Sequence, residues 1–214
     1  VYYGLKFFLA PEATPNEGMY RPIDIRLPEG SFINAKWPSC TYAGNTATSE
    51  RIADVIWKAL AKAIPMKIPG LPYGDSNGVQ IGGVSYKKGE SFMAIDLPPG
   101  GWGGFHSNDG MNATYSRHGN CMDLDPELAE KIYPLRILMR EFIQDSGGAG
   151  VFRGGLGIRE GFYFLQDVHV SHTTSRTKEG VPGSNGGKNG RPGRAIKNYG
   201  TENEEVIGGL TDDG

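Results

Sequence analysis

Cysteine is almost absent from this sequence: Cys40 and Cys121 are the only two in 214 residues. They are too few and too far apart to form a disulfide framework or a zinc motif, and the expectation is that both are buried thiols. Charge of one sign is missing as well. Lys plus Arg total 22 against 24 Asp plus Glu, a net charge of -2, which excludes a strongly basic nucleic-acid binder and an acidic tail protein. No apolar run approaches the roughly 18 residues that a membrane span requires, and the N-terminus lacks the basic, apolar, small-residue order of a signal peptide. The default expectation is a soluble, cytoplasmic protein with neither membrane nor nucleic acid as a partner. A starting methionine is also lacking. The chain opens at Val1 inside an apolar and aromatic run over residues 1–10 and stops at Thr211-Asp212-Asp213-Gly214, so residues 1–214 read as one segment of something longer.

What the sequence does have is glycine. With 33 Gly and 14 Pro, the two residues make up 47 of 214 positions, nearly double their usual share. Seventeen of the 33 glycines fall in residues 145–214, so the C-terminal third is expected to be built of turns. A hydrophobic content of 38% still suffices for one real core. The strongest helical signal covers 49–64, where Ile52, Val55, Ile56, Leu60 and Ile64 recur at helical spacing, Thr48 or Ser49 is placed to cap, and Pro65 stops the run. Asp125-Pro126-Glu127 predicts a second, short helix through Lys131. Alternation predicts strands at 20–27 and 31–35, short strands divided by Gly82-Gly83 and by Lys87-Lys88-Gly89, a buried strand at 91–97, and strands at 135–143, 157–166 and 168–174. This order argues against a doubly wound parallel sheet. It predicts an α+β fold, a strand-rich mixed-sheet unit with few helices and many glycine-rich loops.

Three stretches could carry chemistry. His106 follows the loop Gly100-Gly101-Trp102-Gly103-Gly104 and precedes Asp109 by three residues, so an imidazole and a carboxylate could share a pocket as metal ligands or as a base and its orienting partner. His118 and Cys121 extend that cluster. The alternative is an ordinary Asn-Asp-Gly turn with a histidine beside it. His169 and His172, on a strand, face opposite sides and are not joint ligands. In 146–160 the consecutive glycine amides could form an anion nest, with Arg153 and Arg159 clamping a carboxylate or phosphate. A tight hairpin whose glycines adopt positive φ explains the same residues. No Walker loop or dinucleotide fingerprint is present. Residues 44–51 lead hydroxyls and an amide into a helix N-terminus, leaving Asn45 and Arg51 as candidate contacts to a polar substrate.

Taken in order, these pieces resemble the B-type subunits of the hydantoinase, oxoprolinase and ketone carboxylase family. The matching residues are Asn16-Glu17-Gly18-Met19-Tyr20-Arg21-Pro22-Ile23, Pro28-Glu29-Gly30-Ser31, Ala43-Gly44-Asn45-Thr46, Thr48-Ser49 and Arg51-Ile52-Ala53-Asp54. Asp109-Gly110, Asn120, Asp125-Pro126-Glu127-Leu128-Ala129-Glu130, Tyr133-Pro134, the 146–160 glycine motif, Arg176, Pro182-Gly183, Gly186-Gly187 and Gly190 continue the series.

The resemblance implies an ATP-dependent enzyme in which an A-type, ATP-binding partner phosphorylates a carbonyl or amide oxygen. The B-type part then completes ring hydrolysis or ketone carboxylation on a small molecule. It also implies a divalent metal, bound mainly by the N-terminal half of the B-type subunit, which this sequence does not contain. His106 and Asp109 are then the candidate catalytic pair, Asn45, Arg51, Trp102 and His118 the candidate substrate contacts, and Arg153 and Arg159 anion-holding or structural residues. Two departures from the family pattern flank the site, Gly101-Trp102-Gly103-Gly104 and Asn120-Cys121-Met122. A methionine in place of a pocket arginine suits a less polar substrate such as a ketone. The competing reading is a non-catalytic assembly segment that docks the A-type subunit through Trp37, Tyr42, Trp102 and Tyr115.

Overall fold

The computed structural model describes residues 1–207; the tetrapeptide at 211–214 lies outside them. The aromatic N-terminal run forms helix α1 (Tyr2–Leu9), which lays Gly4 against Ile56 and both Phe7 and Phe8 against Trp57. A single turn, α2 (Glu17–Tyr20), is capped by the Asn16 side chain, and Tyr20 stacks on Tyr2 at 4.3 Å. The main helix, α3 (Ser49–Ala63), ends at Ile64 before Pro65, as the sequence predicts. Its entry differs from the prediction. A π-helical turn, Gly44–Thr48, runs straight into α3, so Thr48 is already helical and caps nothing. Ser49 Oγ donates instead to the Asn45 carbonyl at 2.5 Å.

Strands β1 (Gly78–Val84) and β2 (Ser91–Asp96) are joined by the Lys87-Lys88-Gly89 turn, and a later strand pairs with the other edge of β1. Helix α4 (Pro126–Ile132), capped by Asp125, leads into β3 (Leu135–Phe142), which pairs antiparallel with β4 (Ile158–Phe164). Strand β5 (His169–Thr173) completes the sheet β2-β1-β5, with Ile81 opposite both Ala94 and Val170. A small ladder, β6 (Ile196–Lys197) with β7 (Glu205–Val206), closes the described chain. One apolar core gathers Trp57, Ile68, Leu71 and Trp102, and a second gathers Ile81, Ala94, Ala129 and Leu135. The α+β class with few helices and small antiparallel sheets is thus the observed one.

Several local expectations are corrected. Residues 20–27 and 31–35 are not strands: the chain closes turns from Ile23 to Tyr20, Ser31 to Pro28 and Asn34 to Ser31. Alternation alone does not make a strand where no neighbour takes up the backbone donors and acceptors. Gly82-Gly83 lies inside β1 and does not divide it; the Phe92 ring stands 3.3 Å from where a Gly83 Cβ would sit. In β2 only Ala94 is buried. Both cysteines are exposed.

The glycine-rich segments at 100–104, 109–113, 146–157 and 180–191 pack backbone against backbone. Trp102 donates to Met111, Gly155 to Trp102, Gly110 to Arg153, Lys188 to Ala149 and Arg191 to Ser146. A Cβ on Gly101 would stand 1.9 Å from the Gly155 carbonyl oxygen, and one on Gly180 1.7 Å from that of Gly190. No glycine between 147 and 157 has positive φ. The hairpin explanation therefore fails for them, and close approach is what excludes side chains. Gly101→Ala should cost about 1–3 kcal/mol or more through forced backbone displacement. Gly44→Ala, with nothing within 4 Å, should be close to neutral; urea unfolding of the full-length variants checks both.

Candidate functional site

Helix α3 presents Glu50, Ala53, Asp54 and Trp57 as its buried face, so two carboxylates lie on the same stripe as the core tryptophan. Buried carboxylates need charge-matched donors, and the loop after Tyr115 supplies them. Arg117, its side chain fully buried, donates through Nε to Glu50 Oε2 at 2.9 Å and through Nη2 to the Glu50 carbonyl at 3.0 Å and Asp54 Oδ1 at 2.5 Å. Its guanidinium also stacks 4.3 Å over the Trp57 ring. Asp54 Oδ2 receives Arg51 at 3.0 Å and Arg176 at 3.1 Å. Arg176 reaches it from a left-handed backbone, φ +60°, a conformation that a non-glycine residue holds only when its surroundings fix it. Burial, and next the neighbouring Arg51, lower the Arg176 pKa. Arg51 Nε and Nη2, Arg176 Nε and Ser175 Oγ are buried without a partner, so three guanidinium groups facing two carboxylates leave donors over. His118 completes the cluster: its backbone N–H and Nδ1 both meet Glu50 Oε1, at 2.9 and 2.7 Å.

Of the residues singled out from sequence, the structure brings Arg51 and His118 together, with Trp102 in the core below, 6.4 Å from Trp57 and bonded through Nε1 to the Tyr115 carbonyl. Asn45 sits exposed at the π-helical turn. His106 is exposed, and Asp109 is held by Arg153, which donates its N–H at 2.9 Å and places Nε 3.2 Å away. Arg159 pairs with Glu141 at 2.7 Å and stacks on Tyr199, so the two arginines have separate partners. The amides of Arg153, Gly154, Gly155, Leu156 and Gly157 donate to Asp109, Gly148, Trp102, Asn112 and Ser146. Five successive donors are committed inward and do not fit a phosphate. Among the described residues no three His, Cys, Asp or Glu side chains are grouped to hold a metal. The cluster carboxylates are occupied by guanidinium groups and do not fit one either. Met122 is 95% exposed.

Sequence reasoning missed Glu50, Asp54 and Arg117. The available signal was the i, i+4, i+7 spacing of Glu50, Asp54 and Trp57, which places both acids on one face with an aromatic. It also missed a second group between the sheets. Arg140 lies 3.5 Å from Asp96, 3.8 Å from Asp123 and 2.7 Å from Glu160, the last without hydrogen-bond alignment, while Tyr115 hydrogen-bonds Asp123. Burial, then the hydrogen bond and charge of Asp96, push the Glu160 pKa up to about 8, against the opposing pull of Arg140.

Two outcomes follow from these charges. Arg117→Met leaves the fully buried Glu50 without its guanidinium partner and should destabilise the protein by about 3–5 kcal/mol, whereas removing the solvent-exposed Arg26–Asp24 pair should leave the denaturation midpoint unchanged. Because Glu160 keeps its proton in the folded state to about pH 8 while the unfolded chain releases it near its ordinary value, stability should fall as pH rises through that window. Glu160→Gln should flatten that slope, measured as the denaturation midpoint from pH 5 to pH 8.

Comparison with known proteins places this geometry. An uncharacterized protein of Methanocaldococcus jannaschii is 36% identical over 191 residues, covering 89% of this chain and 33% of that protein. The caprolactamase beta subunit of Pseudomonas jessenii is 33% identical over 165 residues, covering 74% and 28%. The crystal structure of the ATP-dependent caprolactamase from P. jessenii superposes with a TM-score of 0.81 at 29% identity, over 96% of this chain and 37% of that one. The chain therefore spans about a third of the length of these relatives. The Hydantoinase B/oxoprolinase family model matches residues 1–212, and with its ordered motifs and shared backbone the chain belongs to that family.

Proposed function

We propose that this chain is part of the catalytic B-type subunit of an ATP-dependent enzyme that opens a cyclic amide. The observation that carries the reading is the agreement of 96% of the backbone with an ATP-dependent caprolactamase. In this reading an A-type partner holds ATP, which supplies the phosphoryl group that activates the amide oxygen, and the rest of the B-type subunit provides any divalent metal. Asn45 and Arg51, at the helix entry, contact polar oxygens of the substrate. The left-over guanidinium donors around Asp54 favour an anionic or strongly polar group nearby.

A second reading, assembly, is favoured by one feature. No residue from 21 to 43 is buried, and Trp37 and Tyr42 are 94% and 72% exposed, which suits anchors for another surface. The deciding experiment assembles the full-length subunit with its A-type partner and measures phosphate release with ε-caprolactam, 5-oxoproline, hydantoin, and acetone plus bicarbonate. Release stimulated by a cyclic amide is expected. Stimulation by the ketone alone would overturn the reading, and undiminished cyclic-amide turnover by a subunit lacking residues 49–176 would make the segment one of assembly only.

A further inference from the structure

We propose that His118 is the proton-accepting group of a small cyclic-amide site, oriented by Glu50 and set beside a cleft formed by helix α1. This rests on the cyclic-amide reading above and assigns the residues that serve it. Glu50 is completely buried, and its carboxylate cannot swing: Oε2 is held by Arg117 Nε, and Oε1 takes the His118 backbone N–H. The same Oε1 stands 2.7 Å from His118 Nδ1. In the neutral ring, a carboxylate acceptor at Nδ1 favours the tautomer with its N–H there and the lone pair on Nε2. The imidazole is one-third exposed while its partner is not exposed at all, so the orienting contact is shielded and the ring remains reachable. A positioned imidazole backed by a buried carboxylate is the arrangement that general-base chemistry requires.

The second observation is the wall next to it. The Tyr3 ring lies 5.0 Å from the imidazole, and Tyr3, Lys6, Phe7 and Pro11 line a cleft of about 380 Å³. The i, i+3, i+4 spacing of α1 puts the first three on one face. The volume suits one small molecule, and the wall is aromatic and aliphatic with few polar atoms, as an apolar lactam ring requires. Lys6, on the cleft wall, is anchored on the Pro11 carbonyl at 2.6 Å. Burial pushes the Tyr3 pKa up to about 12, so its phenol stays neutral and able to donate a hydrogen bond to the activated substrate. In the reaction, the substrate arrives with its amide oxygen phosphorylated and its carbon double-bonded to the ring nitrogen. A water O–H bond breaks and its proton goes to Nε2, while the water oxygen bonds to that carbon and the C=N π pair moves to nitrogen. The new hydroxyl oxygen then forms C=O and releases its proton to solvent as the ring C–N bond breaks with its electrons on nitrogen, which takes the proton back from the imidazolium and another from solvent. A second water splits the acyl phosphate that is left into carboxylate and inorganic phosphate.

The test uses the full-length subunit assembled with its A-type partner, comparing wild type, His118→Gln, Glu50→Gln and, as a control, the exposed His169→Gln. Cyclic-amide-dependent phosphate release should fall about a hundredfold in His118→Gln, through kcat with KM unchanged. Glu50→Gln should lower kcat less, again with KM unchanged. Should Glu50→Gln fail to fold, His118→Gln alone still decides. Independently of turnover, ε-caprolactam should slow carbethoxylation of His118 by diethyl pyrocarbonate, read by peptide mass spectrometry, and leave His169 labelling unchanged. Turnover within threefold of wild type in a folded His118→Gln enzyme, or His118 labelling indifferent to ε-caprolactam, overturns the proposal. A wild-type assembly without cyclic-amide-dependent turnover overturns the functional reading instead, and the labelling result then decides on the cleft by itself.

Discussion

The contact on which everything else depends is peptide against peptide. Where Gly101 meets Gly155 and Gly180 meets Gly190, the carbonyl oxygen of one segment lies less than 2 Å from where a Cβ on the other would be. No residue but glycine can occupy those positions without moving a backbone. Segments distant in sequence can therefore hydrogen-bond directly, without the spacing that side chains impose in an ordinary layered core. Glycine here carries an entropic cost on folding, and the density of inter-segment hydrogen bonds and the Trp57–Trp102 core beside them offset it. The glycines of 147–155 and 180–190 belong to a packed element, not to a linker.

That packing also sets the candidate site. Tyr73 donates its amide to Gly101 within the glycine layer, and its hydroxyl receives the Ser116 amide at 3.1 Å. Trp102, inside the same layer, bonds through its indole to the Tyr115 carbonyl. The residues just before Arg117 and His118 are thus fixed from two sides by groups rooted in the glycine segments. Helix α3 brings the carboxylates, and the loop brings the cations. Neither half is stable buried without the other, because an unpaired buried charge costs several kcal/mol.

Legibility followed the range of the forces involved. Helix α3, helix α4 and strands β3 to β5 are set by local periodicity and proline or capping signals, and their bounds agree with expectation to within a residue or two. Residues 20–27 show the limit of pattern: alternation at Ile23, Ile25 and Leu27 reads as a strand, yet strand formation needs a partner that lies elsewhere in the fold. The glycine motifs were visible, but their cause was not, since positive φ and close approach leave the same letters in a sequence. Cys40 and Cys121 were misjudged because cysteine's usual burial is a statistical preference and nothing local opposes exposure. In the site, Arg51 and His118 were legible as candidates but in other groupings, His118 with His106, Asp109 and Cys121. Glu50, Asp54 and Arg117 were not, because acids on a helix are read as its wet face until a long-range cation is seen to meet them.

A buried ion cluster is weak evidence for stability, since apolar residues of similar volume often serve as well. What distinguishes this one is its imbalance and its edge. A purely structural cluster would match donors to acceptors, whereas here buried donors on Arg51, Arg176 and Ser175 have no partner. The cluster also grades outward, from the fully buried Arg117 and Glu50 to the one-third exposed His118. Rigid charge at the bottom and a reachable imidazole at the rim is the order in which a preorganised site is built. The strained Arg176 backbone fits the same order, because its conformation keeps a third guanidinium on an already paired Asp54. On the proposal that His118 serves a site beside helix α1, the cluster is the base of that site, and the glycine layer holds that base in place.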